Sequence, residues 1–224
     1  MRTVIFSDTH LSAHFEPKKF AFLAKIIQSA DQVIINGDFW DSYLTSFEAF
    51  MTSQWQQLFP LLKAKKAIYI YGNHDPIQFA DERVNLFSDQ QLLEVELLAG
   101  GRRFLIEHGD SFDLLFQQWD KSWWGHLLFH LPGMLRFLMW GEWIVAKLIN
   151  PYFSQKRFQR FNEEIKAKTR EKLAPNEILV CGHTHSAEMD LAHQFVNHGV
   201  IRNGLGQYAV ITDDGQIQLH EERY

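Results

Sequence analysis

Cysteine is almost absent from this chain of 224 residues: Cys181 is the single one, so no disulfide can form within it. A disulfide-stapled secreted scaffold is thereby excluded, and a reducing compartment fits. We therefore expect a cytoplasmic protein. Cys181 lies inside an apolar run, where a small packed side chain is expected rather than a nucleophile.

Long uncharged hydrophobic runs are also missing. No stretch reaches the ~20 residues that span a bilayer. The nearest candidate, 122–135, contains two histidines and a proline and is followed by Arg136. No basic segment followed by a long apolar one opens the sequence, so we expect no signal peptide.

An excess of positive charge is missing as well, since 22 Lys and Arg stand against 27 Asp and Glu. A net charge of −5 gives no general attraction for nucleic acid, and we do not favour a nucleic-acid partner. The 46% hydrophobic and 22% charged residues are typical of a folded globular chain. We predict one domain over 1–224.

Five short apolar runs, in contrast, end in residues that bind metals or transfer protons. They are TVIFSDTH (3–10), VIINGD (33–38), AIYIYGNHD (67–75), RFLIEHGD (103–110) and EILVCGHTH (177–185). Such runs predict strands buried on both faces. Strand ends of an α/β protein share one edge of a sheet, where ligands bind. The five endings therefore predict one site built from five loops.

The candidate metal ligands in these loops carry oxygen or imidazole nitrogen and no thiolate. They are Asp8, His10, Asp38, Asn73, His108, His183 and His185. In an extended segment residues two apart point the same way, so each D-x-H or H-x-H pair is expected to face one ion. Asp38 offers two oxygens, one for each of two ions. The donor set favours manganese, with iron or zinc as alternatives, and seven ligands suit two ions ~3.5–4 Å apart.

Taken together, the motifs resemble the calcineurin-like metallophosphoesterases, in family order. The motifs are Asp8-x-His10, Gly37-Asp38-x-x-Asp41, Gly72-Asn73-His74-Asp75, His108 and Gly182-His183-x-His185. The resemblance implies a four-layer α/β/β/α sandwich with two mixed sheets. It also implies a ligand split. One ion would take Asp8, His10, Asp38 and His185, and the other would take Asp38, Asn73, His108 and His183.

The resemblance implies hydrolysis by in-line attack of a metal-bridging hydroxide at phosphorus. His74 and Asp75 are the predicted catalytic residues beside the ligands. His74 would stabilise the transition state or protonate the leaving oxygen, and either Asp75 or Asp41 would fix its tautomer. Asp41 and Asp110 are predicted to support the ligands from outside the coordination sphere, although Asp110 could equally be a cap.

Residues 112–174 differ from the rest and are predicted to form a helical, tryptophan-rich insertion. They carry ten Lys and Arg against six Asp and Glu, whereas the remaining residues carry twelve against twenty-one. The insertion is a packed helical core, a lid over an apolar pocket or a membrane contact through 119–172. The residues predicted to line the lid are Trp123, Trp124, Arg157 and Arg160.

Within the superfamily, the nearest resemblance is to the UDP-2,3-diacylglucosamine hydrolases, by length, His-Gly-Asp motif and insertion. It implies an anionic phosphorylated small molecule or lipid as substrate, at the inner face of the cytoplasmic membrane. One departure is that Gly-Asn-His74-Asp75 stands where Gly-Asn-Arg-Asp is expected. A small phosphodiesterase or nuclease, and a non-catalytic membrane-associated binding module, are the alternatives. Oligomeric state is left open.

Overall fold

Two mixed β-sheets form the centre of the molecule in the computed structural model, which describes residues 1–112, 153–170 and 172–224. The strands are β1 Arg2–Phe6, β2 Gln32–Asn36, β3 Ile68–Ile70, β4 Gln90–Leu92, β5 Glu94–Ala99, β6 Arg102–Glu107, β7 Glu177–Cys181, β8 Glu188–Asp190, β9 Phe195–Asn197, β10 Ile201–Arg202, β11 Leu205–Thr212 and β12 Ile217–Arg223. The first sheet has the order β10-β11-β1-β2-β3-β4, with β12 also paired to β11. The second has the order β5-β6-β7-β9-β8.

Each sheet contains a parallel centre with antiparallel strands outside it. β1 to β4 run parallel, and β11 joins β1 antiparallel in register Val4↔Val210. In the second sheet β6, β7 and β9 are parallel, while β5 and β8 pair antiparallel at the two edges. The carboxyl ends of the parallel strands meet at one edge of the molecule, which places the predicted loops together.

Helices cover the outer face of each sheet. They are α1 Pro17–Gln28, α2 Phe47–Met51, α3 Phe59–Ala64 and α4 Phe153–Thr169. Apolar side chains of both sheets, such as Ile5, Ile34, Phe104 and Val180, fill the space between them. A second core lies between the first sheet and α1 to α3, and a smaller one joins Ile165 of α4 to the second sheet. The predicted α/β/β/α order of layers is confirmed.

Burial along the strands follows their sequence. β1, β2, β3 and β7 are buried on both faces, except for the intermediate first residues of β1 and β2. β6 differs from the prediction because only Phe104 and Ile106 are fully buried. Arg103, Leu105 and Glu107 alternate to the half-exposed face, as period-two geometry requires, while Arg102 is exposed at the start of the strand.

The sequence predicts a single helical stretch over about 47–62, and this prediction is wrong as a single element. A short helix ends at Met51, and a separate 3-10 helix spans Gln54–Leu58 before α3 begins. The hydroxyl of Ser53 accepts a hydrogen bond from Trp55 N–H, a local bond that competes with the helical ladder. Pro60 opens α3, because its missing N–H is tolerated only in a first turn.

The sequence predicts a hairpin turn at Gly100-Gly101 and another turn at Asp213-Asp214-Gly215, and both are confirmed. Gly100 and Gly101, with φ of 54° and 76°, connect β5 to β6, and Gly215, with φ of 76°, lies in the turn between β11 and β12. These angles belong to the left-handed region, which glycine enters at little cost.

The segment predicted as an insertion connects β6 to β7, which are neighbouring parallel strands. Its described part includes α4, which provides the helical crossover that a parallel pair needs. Residues 113–152 lie outside the described part, and so does most of the predicted lid. Over the described ranges, none of the helices combines the length and the apolar character that crossing a bilayer requires.

Candidate metal centre

Five loops converge at the carboxyl ends of β1, β2, β3, β6 and β7, and their backbone is unusual. Five of the eight non-glycine residues with positive φ in the described ranges are predicted ligands. They are Asp8, His10, Asp38, His183 and His185, with φ between 44° and 64°. A non-glycine residue adopts the left-handed conformation at a cost in energy, and residues of this kind cluster at functional sites. The extended backbone predicted for the D-x-H and H-x-H pairs is therefore wrong, although each pair still faces the site.

The first group of ligand atoms comes from the loops after β1 and β7. The Nε2 atoms of His10 and His185 lie 3.1 Å apart. Asp8 Oδ1 lies 3.2 Å from His185 Nε2 and 3.9 Å from His10 Nε2. Three such donor atoms at these separations form a pocket that could hold a cation.

The second group comes from the loops after β3, β6 and β7. Asn73 Oδ1 lies 3.2 Å from His108 Nε2 and 2.9 Å from His183 Nδ1. His108 Nδ1 donates a hydrogen bond to the Asn36 carbonyl over 2.8 Å, which leaves Nε2 to face the pocket. A ring held in this way by its other nitrogen is the usual arrangement of a metal-binding histidine.

Asp38 lies between the two groups. Its Oδ2 is 3.8 Å from His10 Nε2 and 3.4 Å from His108 Nε2. Its Oδ1 accepts the His74 backbone N–H over 2.8 Å. A single oxygen therefore faces both groups, and not one oxygen for each as the sequence suggested, because the other oxygen holds the loop after β3.

The residues fit a pair of cations on their own chemistry. Asp8 Oδ1 is buried and has no hydrogen-bond partner among the described residues, whereas Asp8 Oδ2 accepts from Ser7 Oγ and from His183 N–H. Burial alone would lower the pKa of His108, but the charges of Asp38 and Asp8 outweigh it and raise that pKa well above its usual range. A site that attracts a proton so strongly has excess negative charge, which a divalent cation would neutralise.

Asp41 ties a ligand to the predicted catalytic histidine. Its Oδ2 accepts hydrogen bonds from His10 Nδ1 and His74 Nδ1, each over 3.1 Å. Burial would raise the pKa of Asp41, but these two bonds hold it below its ordinary value. The alternative left open by the sequence is thus resolved geometrically: the carboxylate beside the His74 ring is Asp41.

Asp75 has a different position. Its carboxylate is fully buried and accepts backbone N–H groups of Asp38, Phe39 and Gly72 over 2.6–3.0 Å. It therefore connects the loop after β2 to the loop after β3. Burial, followed by the charge of Asp38, raises the pKa of Asp75 to about 6.

Of the remaining predicted residues, the structure describes Asp110 and Arg160 in full. Asp110 is half-buried and begins a 3-10 helix that ends at Phe112. Trp123 and Trp124 lie outside the described residues, as does the side chain of Arg157. Arg160 is exposed on α4, with its guanidinium 5.0 Å from the Phe161 ring centre.

Two supporting residues were missed by the sequence analysis. Asn36 donates from Nδ2 to the Glu107 carbonyl over 2.9 Å and to His198 Nε2 over 3.0 Å, while its own carbonyl holds His108. Burial lowers the pKa of His198 to about 4, so its ring is neutral and accepts this bond. The sequence signal for Asn36 was its position, because it is a polar residue that ends an apolar run directly before Gly37.

Lys19 is the second supporting residue that could not be identified from the sequence patterns used above. It is buried on α1 and donates from Nζ to the Thr9 carbonyl, which supports the loop that carries Asp8 and His10. Burial lowers the pKa of Lys19 to about 8, although the negative charge of Glu16 acts in the opposite direction. Lys19 lies on the same apolar stripe of α1 as Phe22, so a lysine at an apolar helical position was the signal.

We expect Gly37→Ala to damage the centre far more than Gly101→Ala. Both glycines have positive φ, 84° and 76°, so each alanine costs about 1–2 kcal/mol of backbone strain. A Cβ at Gly37 would lie 2.6 Å from His108 Cγ, whereas a Cβ at Gly101 would meet nothing within 4 Å. Overpacking should add ~1–3 kcal/mol at Gly37 only. Urea unfolding of the metal-free proteins measures the difference, and equal losses would contradict it.

Comparison with known proteins assigns the domain. A family profile, the calcineurin-like phosphoesterase superfamily domain, matches residues 1–212. No functionally curated protein is significantly similar in sequence. Similar solved structures include an archaeal phosphodiesterase, with 16% identity over 99% of this chain and 100% of that one and a TM-score of 0.49. The phosphoesterase Yfce of E. coli is 15% identical in sequence, the match covers 100% of this chain and 99% of Yfce, and the TM-score is 0.45. Zinc-bound Vps29 of Entamoeba histolytica is 13% identical in sequence, the match covers 100% of this chain and 99% of Vps29, and the TM-score is 0.47.

Proposed function

The chain belongs to the calcineurin-like phosphoesterase superfamily of metal-dependent hydrolases, and from this premise we propose that it is a dinuclear phosphohydrolase. Its substrate in this proposal is a lipid-linked or nucleotide-linked phosphate ester or pyrophosphate, such as UDP-2,3-diacylglucosamine. The observation that carries the proposal is the pair of donor groups on either side of Asp38 Oδ2, with His10 Nε2 at 3.8 Å and His108 Nε2 at 3.4 Å.

One ion would be held by Asp8, His10, Asp38 and His185, and the other by Asp38, Asn73, His108 and His183. When bound, such ions lower the pKa of water and neutralise the charge that develops on phosphoryl oxygens. Manganese is our first choice, because mixed oxygen and imidazole ligands suit it, with iron and zinc as alternatives.

His74 is the proposed proton donor to the leaving oxygen. Its Nδ1 is held by Asp41, so Nε2 can carry a proton toward the substrate. Its side chain is 24% exposed, whereas that of the neighbouring ligand His10 is 2% exposed, so His74 can reach a bound substrate. Burial lowers the pKa of His74, but Asp38 and Asp41 outweigh it and raise the pKa to about 9. The two carboxylates thus favour the protonated ring, which is the form that a general acid requires.

Exposed apolar side chains, one in contact with His74 and two a few residues after it in the sequence, support a substrate with an apolar portion. Tyr43 is 45% exposed, and its ring lies edge-on to His74 at a centroid distance of 4.9 Å. Ile77 and Phe79, in the 3-10 helix just after Asp75, are 60% and 56% exposed. The group that leaves next to His74 would contact this surface, which suits an acyl or aromatic group better than a small polar one.

The basic stretch of the predicted insertion contributes less free charge than its sequence suggests. Lys166 is buried and contacts carboxylate oxygens of Glu163, Glu188 and Asp190 within 3.2 Å. Lys168 donates to the Phe112 carbonyl. Two of the seven basic residues in 155–172 thus stabilise the fold. Arg160, Arg170 and Lys172 are exposed in the described part, and Arg160 is our candidate among them for contact with an anionic substrate. Membrane contact through 119–172 stays a prediction.

A metal-by-substrate screen tests this function. Metal-free protein would be assayed with a phosphomonoester, a phosphodiester and a UDP-diacyl sugar, each under Mn²⁺, Zn²⁺, Fe²⁺ or Mg²⁺. We expect the highest turnover with Mn²⁺ and the UDP-diacyl sugar. After reaction in ¹⁸O-labelled water, the label should be found in a phosphate group of a product and not in a released alcohol, because attack is at phosphorus.

The blank for this screen is Asp8→Asn, which weakens the donor set and reveals contaminating phosphatases. Turnover of simple esters without the UDP-diacyl sugar would overturn the lipid assignment alone and would favour the phosphodiesterase alternative where the diester is preferred. Metal binding without turnover of any substrate would overturn the enzyme proposal and favour a binding module.

A further inference from the structure

Asn162, a polar residue on α4, is completely buried. Within the described part of the chain, its side chain hydrogen-bonds to the loop that carries His183 and His185 and to strands β8 and β9. Its Nδ2 donates to the Ser186 carbonyl over 2.9 Å and to Glu188 Oε2 over 2.8 Å. Its Oδ1 accepts from Thr184 Oγ1 over 2.7 Å and from Asn197 Nδ2 over 3.3 Å. The amide thus uses both donors and both acceptor positions.

The network continues through the residue between the two histidine ligands. Thr184 is buried, and its hydroxyl also accepts from Asn197 Nδ2 over 3.0 Å. Asn197 Nδ2 in turn donates to the Gly182 carbonyl over 2.7 Å. The loop is therefore held at Gly182, Thr184 and Ser186, on both sides of each histidine.

This support matters because the loop is strained. His183 and His185 have φ of 64° and 55°, and left-handed residues of this kind persist only where surrounding structure over-determines them. The two rings also serve different groups, because His183 faces Asn73 Oδ1 at 2.9 Å and His185 faces Asp8 Oδ1 at 3.2 Å. Relaxation of this one loop would move a ligand out of each group.

We propose that Asn162 is a positioning residue through which α4, from the predicted insertion, sets the affinity of the metal centre. The inference rests on the proposed function, since it requires that His183 and His185 bind the ions. It gives α4 a role beyond covering the second sheet: the helix supplies the partner that keeps both histidines in their strained, ligand-presenting conformation.

Mn²⁺ titration of the metal-free full chain by isothermal calorimetry tests the proposal. Asn162→Ala and Thr184→Val should each weaken Mn²⁺ binding about 10–100-fold, as loss of a group that orients ligands usually does. Both binding steps should weaken, since the loop supplies one ligand to each group. Excess Mn²⁺ should restore most of kcat, because no reacting group has been removed.

The controls separate ligand positioning from general stability. Thr184→Ser keeps the hydroxyl and should bind Mn²⁺ like the unaltered protein. Thr169→Val removes a buried hydroxyl on α4 whose hydrogen bonds, as far as the described ranges show, go to carbonyls of its own helix at Ile165 and Lys166. It should lower the melting temperature without changing Mn²⁺ affinity. If Asn162→Ala does not fold, the comparison of Thr184→Val with Thr184→Ser still tests whether this network positions the ligands. Thr184→Val binding within about twofold of Thr184→Ser would overturn the proposal, whereas no Mn²⁺ binding by the unaltered protein would overturn the proposed function instead.

Discussion

Asparagine in place of Asp38 is expected to reduce kcat/KM by roughly 10³-fold or more, since charge stabilisation by the ions is worth several kcal/mol. The asparagine oxygen can still accept the His74 N–H, so the loop after β3 should keep its position. The negative charge between His10 and His108 would be lost, and with it the shared attraction for two cations. Steady-state kinetics with the best substrate and calorimetric Mn²⁺ stoichiometry measure the two effects.

Asp89→Asn is the matched control for this substitution. It neutralises an exposed carboxylate that pairs with Lys63. Asp89 N–H bonds to the Ala67 carbonyl at the start of β3, which is the end of that strand opposite the loop with Asn73. Its kcat/KM should stay within about twofold, because exposed ion pairs contribute little. An Asp38→Asn protein that keeps two Mn²⁺ ions and more than a tenth of its activity would remove Asp38 from its proposed place between them.

His74→Gln is expected to lower kcat by about 10²–10⁴-fold for substrates with a poor leaving group, the usual contribution of a general acid. With a p-nitrophenyl ester the loss should be much smaller, because p-nitrophenolate leaves without a proton. Mn²⁺ affinity should change far less than kcat, since His74 Nδ1 is bonded to Asp41 and the contact of its ring with His10 is edge-on packing at a centroid distance of 4.5 Å. The measurement is kcat across a series of esters with increasing leaving-group pKa.

His193→Gln provides the control for His74, because His193 also has a ring nitrogen beside a carboxylate, Asp190 at 2.8 Å, but on the exposed surface. It should leave every member of the ester series unchanged. An equal loss for good and poor leaving groups in His74→Gln would show that the imidazole stabilises charge rather than transferring a proton. No loss at all would leave His74 without a part in the reaction.

Much of the fold could be predicted from local pattern. Apolar runs with abrupt polar ends located β1, β2, β3, β6 and β7, because a strand buried in a parallel sheet must be apolar and its loop must not be. Glycine pairs and an Asp-Gly step located the turns. The helix predicted over 47–62 failed, because Ser53 and Pro60 redirect the backbone through bonds that periodicity does not register.

Sequence alone determined the chemical types at the site: carboxylates, an amide and imidazoles at strand ends, in the order of the superfamily. Only the tertiary structure decided how they are used. It assigned Asp41 to the His74 ring and Asp75 to three backbone amides, and it linked Asn162 of α4 to the histidine loop. The physical reason is that residue type fixes which bonds a group can form, whereas the choice among partners depends on distances of about 3 Å between segments remote in sequence.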